Sequence, residues 1–183
     1  MTTVDNFRIA YALYEDFSEY SYNCISYLMD NSELIWKLLK YNDRDAWNKP
    51  DLTKEEKAAL IYSGQPTTTD FRVFMDTGNP DVWKEEISQA RIYPIKILPK
   101  NRTTGIVLMA FDFFTHYKLN QLSNYKSRVD MATQEYIRVF NGINIAGIGR
   151  LAFNGTETVE DKAITLGQLP FKGKSVYMSN RDI

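Results

Sequence analysis

One cysteine and one histidine stand in a chain of 183 residues, so the side chains from which most metal sites and nucleophilic triads are assembled are nearly missing. Cys24 by itself makes no internal disulfide, and a lone thiol inside an apparent helix reads as buried and inert, which fits synthesis in a reducing cytosol. Net charge is also missing. The 22 basic and 23 acidic residues leave a formal charge of −1, which gives no overall attraction to nucleic acid or anionic lipid, so any DNA contact has to be local. No window approaches the ~20 consecutive apolar residues of a membrane-spanning helix, and no membrane partner is expected. The start, Met1 to Asp5, lacks a basic stretch leading into an apolar one, so no secretory leader is expected. The triplets Asn101-Arg102-Thr103 and Asn154-Gly155-Thr156, of glycosylation type, then mark turns only.

Aromatic residues are what the chain has in quantity: 12 Tyr, 10 Phe and 3 Trp. Tyrosine joins a large apolar ring to a polar tip, which suits surfaces that are wet in one state and buried in another, such as subunit contacts. A tyrosine-rich core is the other reading of the same count.

Along the chain, Phe7, Tyr14, Phe17, Cys24 and Leu28 fall near one face of a helix expected from Val4 to about Met29. Asp30-Asn31-Ser32 interrupts it, and Leu34, Ile35, Leu38 and Leu39 give a second helix through Lys40. Thr53-Lys54-Glu55-Glu56 fits a capping box for a third helix, with Ala58 to Ile61 inside it and Gly64 at its end. From Gln65 to Ala90 the pattern is weaker: Phe71 to Phe74 fits a short strand, Gly78-Asn79-Pro80 a turn, and Trp83 an anchor.

Arg91 to Phe153 reads as a folding unit. Tyr93, Ile95 and Ile97 alternate with Pro94 and Lys96; a proline cannot donate to a ladder, so the strand is an edge strand or begins after Pro94. A turn from Pro99 to Gly105 joins it to Ile106 to Phe114, which is apolar on nearly both faces and reads as central. A helix follows from about Ser127 to Phe140 with Val129, Ala132, Tyr136 and Phe140 on one face, stopped by Asn141-Gly142. Ile143, Ile145, Leu151 and Phe153 then share one face of a third strand, bent or bulged at Gly147 and Gly149. Beyond Asn154 the chain has too few apolar residues to fold alone; Ser175 to Met178 fits a last strand, and the segment either returns to the sheet or lies along another subunit. The expected fold class is therefore α+β, with N-terminal helices (1–64), a linker with short elements (65–90), a β-β-α-β sheet-and-helix unit (91–154) and an extended C-terminal arm (155–183).

No catalytic, cofactor-binding or metal-ligating set stands out. Gly147-Ile148-Gly149-Arg150-Leu151-Ala152 imitates a dinucleotide-binding glycine pattern, but that pattern needs a strand turning into a helix, and strand-forming residues lie on both sides here. Asp112 and His116 at the end of the second strand read as an ordinary strand-end pair, with no nucleophile to complete a triad. Lys100 and Arg102 in the hairpin turn, Lys118, Lys126, Lys172 and Lys174 could each meet phosphate, yet they are scattered and read as solvated loops.

The hairpin Ile95 to Phe114, the helix after Tyr125-Lys126-Ser127-Arg128-Val129-Asp130, and the strand from Asn141 to Gly149 together resemble neck proteins of tailed bacteriophages. These are the ring-forming head-to-tail connector, stopper and tail-terminator families, with a flavour nearest that of crAss-like phages. The resemblance covers about the third quarter of the chain and rests on element order with a few residues, not on a diagnostic motif. It implies a non-enzymatic structural subunit of the virion neck, a homo-oligomeric ring around the DNA channel, with portal or adaptor and tail proteins as neighbours. The hairpin would line or seal the channel, Lys100 and Arg102 would face it and its packaged double-stranded DNA, and terminal arms would clasp neighbours. The rival readings are a small cytosolic protein-binding adaptor or regulator without catalytic activity, and an enzyme working through Asp or Glu alone.

Overall fold

The computed structural model describes residues 17–64, 71–76, 86–100, 105–159 and 171–180. Helix α1 (Phe17–Asn31) buries Tyr20, Cys24, Ile25 and Leu28, spaced so that they share one side. The part of the expected helix before Phe17 lies outside the described residues. The chain breaks helical form at Ser32, whose hydroxyl accepts from the Ile35 amide at 3.3 Å and so serves the start of helix α2 (Leu34–Lys40). Trp36, wholly buried, donates its indole N–H back to the Leu28 carbonyl at 3.2 Å and ties the two helices together.

Helix α3 (Lys54–Ala59) opens on the expected capping box: the Thr53 hydroxyl accepts from the Glu56 amide at 3.2 Å and the Glu56 carboxylate from the Thr53 amide at 2.8 Å. It ends at Ala59, well before Gly64. The Leu60 carbonyl instead receives the Arg72 and Val73 amides, and Tyr62 donates to the Val73 carbonyl, so tertiary pairing pulls the chain out of the helix. Lys57 on α3 is buried; its ammonium donates to the Met29 carbonyl at 2.8 Å and to Glu33 at 2.5 Å.

The sheet has six strands in the order β1-β2-β3-β6-β5-β4, where β1 is Val73–Phe74, β2 Ser88–Pro99, β3 Gly105–His116, β4 Asn144–Ile145, β5 Gly149–Thr158 and β6 Phe171–Asn180. Among the described strands, β1 and β2 pair in parallel and the other neighbours are antiparallel. Phe71 to Phe74 does contribute a short strand, whereas the Gly78-Asn79-Pro80 turn and Trp83 lie outside the described residues. Strand β2 runs through Pro94 because β1 covers only Ala90 and Arg91, which leaves the proline on an open stretch of edge. The register slips between Pro94 and Lys96, making a bulge at Ile95.

A short helix α4 (Tyr117–Asn120) follows β3, and helix α5 (Arg128–Phe140) starts at Ser127, whose hydroxyl accepts from the Asp130 amide at 3.3 Å. Its buried face packs on the sheet, with Phe140 and Phe111 ring centroids 4.5 Å apart. Helices and sheet share one core in which Leu28, Trp36, Phe111, Phe113, Tyr136 and Val176 take part. Asn141-Gly142 does stop α5, with Gly142 at φ +83°.

Two expectations are corrected. Ile143 to Phe153 is not one strand: β4 and β5 form a hairpin turning at Ala146 to Ile148, where Gly147 and Gly149 hold φ of +77° and +96°. The arm expected after 155 supplies the strand at the centre of the sheet. β6 lies between β3 and β5, takes nine register positions on β3, and buries Phe171, Val176 and Met178. Its polar residues are compatible with that place because they find partners there: Asn154 donates to the Ser179 hydroxyl at 2.7 Å, and the Asn180 amide donates to Gly105 at 3.0 Å and to Ile148 at 2.8 Å.

Candidate functional site

Alternation along β3 sends Val107, Met109, Phe111 and Phe113 toward the helices and Ala110, Asp112 and Phe114 to the opposite side. Pairing then aligns polar residues on that opposite side. Arg91 is opposite Asp112, Asp112 opposite Ser175, and Ser175 opposite Glu157, a row across β2, β3, β6 and β5. In the next row Tyr93 and Tyr177 flank Ala110, with Gly155 beyond Tyr177. Arg91, Tyr93, Asp112, Ser175, Tyr177 and Glu157, with Thr158 and Val159, line a cavity of about 360 Å³.

Asp112 is the centre of the group and is only 2% exposed. Its Oδ1 accepts from the Ser175 hydroxyl at 2.5 Å and its Oδ2 from the Tyr93 hydroxyl at 3.1 Å. Burial nevertheless outweighs those hydrogen bonds and the nearby Arg91 charge, and pushes the carboxyl above its usual range. Burial and the Asp112 charge push the Tyr93 phenol up as well. Tyr177 donates to Glu157 at 3.3 Å, at the solvent-exposed end of the row. The Arg91 guanidinium lies 4.5 Å from the centre of the Phe114 ring. Phe114 in turn needs Gly173 across the strand pair, since a Cβ there would stand 2.6 Å from its ring. The arrangement can hold a small polar group by hydrogen bonds, in a space at the low end of ligand-cavity sizes.

The candidate residues read from the sequence are dispersed. Asp112 and His116 are not a pair: four residues along a strand separate them by roughly 13 Å, and each has other partners. The His116 Nδ1 accepts from the Lys118 amide at 3.4 Å, and its ring packs on Tyr117 and edge-on to Phe171. Burial pulls its imidazole below the usual value. Lys100 is exposed at the end of β2, and Arg102 lies outside the described residues. Lys118 pairs with Glu86 and Lys174 with Asp130, while Lys126 and Lys172 are exposed elsewhere, so no basic patch forms among the described residues. Gly147 and Gly149 serve the β4–β5 turn, and Arg150 continues a strand. Cys24 is fully buried, and burial pushes its thiol up to about 12.

Sequence reasoning missed Arg91, Tyr93, Ser175, Tyr177 and Glu157 as a group. The signal it had was a single carboxylate, Asp112, in a strand otherwise apolar on both faces; its partners are 63 and 19 residues away and only pairing brings them in.

The described helices include none long and apolar enough to cross a membrane. Nor do three or more His, Cys, Asp or Glu side chains among the described residues converge as metal ligands would. A family model described as YomW matches residues 32–172, from the start of α2 into β6. No curated protein matches the chain.

Proposed function

We propose, from the premise that the chain belongs to the YomW family, a phage-associated family, that it is a structural subunit of a phage virion. In this reading it sits in the neck as a homo-oligomeric ring, joins the head at its portal to the tail, surrounds the DNA channel, and makes or breaks no bonds. The observation that carries the reading is the pair of open sheet edges. Past Arg91, β2 has no strand on its outer side among the described residues, and past Phe153 neither has β5. Ile95 and Leu98 on the first edge are 45% and 43% exposed. Open edges with apolar side chains are what soluble monomers avoid and what repeating assemblies use. Lys100, exposed at the hairpin end, would meet DNA in the channel, and the near-neutral overall charge keeps that contact local.

The test is mass spectrometry of purified particles combined with electron microscopy of a phage lacking the gene. The expected outcome is the chain in the virion and, without it, heads and tails that fail to join. Normal infectious particles made without the chain would overturn the reading and favour the adaptor or regulator.

A further inference from the structure

We infer that the β5 edge of one copy docks antiparallel on the β2 edge of the next, with Glu157 opposite Lys96, Thr156 opposite Ile97 and Gly155 opposite Leu98; this rests on the ring reading and names its subunit contact. The two edges lie toward opposite ends of the sheet, and among the described residues β2 carries only the two-residue β1 outside it and β5 only the two-residue β4. Three antiparallel steps separate β2 from β5, so they run in opposite directions. A neighbouring copy rotated about an axis along the strands therefore presents its β2 antiparallel to β5, and repeating that rotation gives a head-to-tail series that closes.

The register follows from which side of the sheet each residue occupies. Glu157 is opposite Ser175, on the side of Asp112; Lys96 is opposite Leu108, on that same side. Thr156 is opposite Val176 and Ile97 opposite Val107, both on the helix side. Gly155 and Leu98, opposite Tyr177 and Ile106, return to the Asp112 side. All three proposed pairs thus match sides, and a slip by one residue would mismatch every one. Charge agrees, since Lys96 and Glu157 are both exposed and directly opposed charges on one face attract. Shape agrees too. Gly155 has φ +144° and nothing within 4 Å of where a Cβ would stand, which leaves room for the exposed Leu98 side chain. Pairing stops at the Pro94–Ile95 bulge because Pro94 has no N–H to give.

The experiment uses the full chain with Lys96→Cys and Glu157→Cys combined, oxidised and run without reductant; Cys24 is buried and its thiol unreactive. The double variant is expected to give a ladder of cross-linked species, and each single variant to stop at no more than a small amount of dimer. In parallel, Lys96→Glu and Glu157→Lys should each weaken self-association several-fold by sedimentation, and an equimolar mixture of the two should recover it. Both positions are exposed, so the fold is retained, which circular dichroism checks. Oligomers that form without the ladder and without charge dependence would overturn the edge assignment and leave the ring standing. A chain monomeric at every concentration would overturn the edge assignment outright, and its absence from virions would remove the ring as well.

Discussion

Strand β3 contributes to two environments at once. On its helix side Phe111 and Phe113 lie in an apolar core closed by α1, α2 and α5; on the other side, one residue along, Asp112 sits among Ser175, Tyr93 and Arg91. Two buried carboxyls sharpen the contrast. Glu135, on α5, is pushed up by burial but accepts from Nε and Nη2 of Arg138 at 2.7 Å each and from the Ser32 hydroxyl at 2.7 Å, and ends below the usual carboxylate range. Asp112 receives two hydroxyls and ends above it. A guanidinium fork compensates the lost hydration of a carboxylate; two neutral hydroxyls do not.

The helix side is also where a buried cation is fully served. Arg128 has no exposure, and its guanidinium donates to the carbonyls of Leu38 at 2.7 Å, Tyr41 at 2.9 Å, Asp43 at 2.5 Å and Leu119 at 3.0 Å. Three of those carbonyls belong to the end of α2 and the turn after it, where the helix dipole favours a positive charge. Burial lowers its pKa only to about 10, so it stays charged at neutral pH. Replacing it (Arg128→Met) should break this side most, with a loss of roughly 3–5 kcal/mol because four carbonyls, two in buried and two in part-buried contacts, lose their donor. A urea midpoint close to that of the parent would contradict the role.

On the opposite side, Gly173→Ala would drive a methyl to 2.6 Å from the Phe114 ring, which is fully buried. The expected loss is on the order of 1–3 kcal/mol, with a shift in the Arg91–Phe114 stacking, read by the same denaturation. Asp112→Asn tests the polar row through pH. The native carboxyl holds its proton more tightly than the unfolded one, so native stability declines as pH rises through the window between the ordinary value and the raised native value. The substitution should flatten that decline; melting curves that keep the same pH slope would refute it. The smallest effect is expected from Glu135→Gln. That native carboxyl is below the ordinary range, so its contribution is present above the ordinary value and disappears as pH falls through the native one. Arg138 is 62% exposed, so about 1 kcal/mol or less should be lost at neutral pH, with a shallower acid limb as the readout.

How much was legible beforehand depends on the range of the forces involved. The Thr53 capping box, the Ser127 start and Asn141-Gly142 stop of α5, and the β2–β3 hairpin are set by neighbours a few residues apart, and they stand as read. The premature end of α3 and the folding back of β4 on β5 depend on Val73 and on Asn141 and Ile143 carbonyl and amide partners, which local propensity does not contain. Strand β6 is legible only in part, as Ser175 to Met178, because the segment beyond Asn154 has too few apolar residues to show where it pairs; Lys174 pairs with Asp130, and Gly173 and Ser175 are buried against Phe114 and Asp112.

The amino-acid sequence by itself determined the element types, the scarcity of metal and nucleophile chemistry, and the apolar β3 at the middle of the fold, because composition and periodicity act over one or two turns or a single hairpin. Tertiary structure alone decided that the C-terminal strand lies between β3 and β5, that Arg128 closes the end of α2, and that Arg91, Asp112, Ser175 and Glu157 form one row. Those outcomes depend on hydrogen bonds between segments tens of residues apart, and only the packed core selects which of the many available pairings is made.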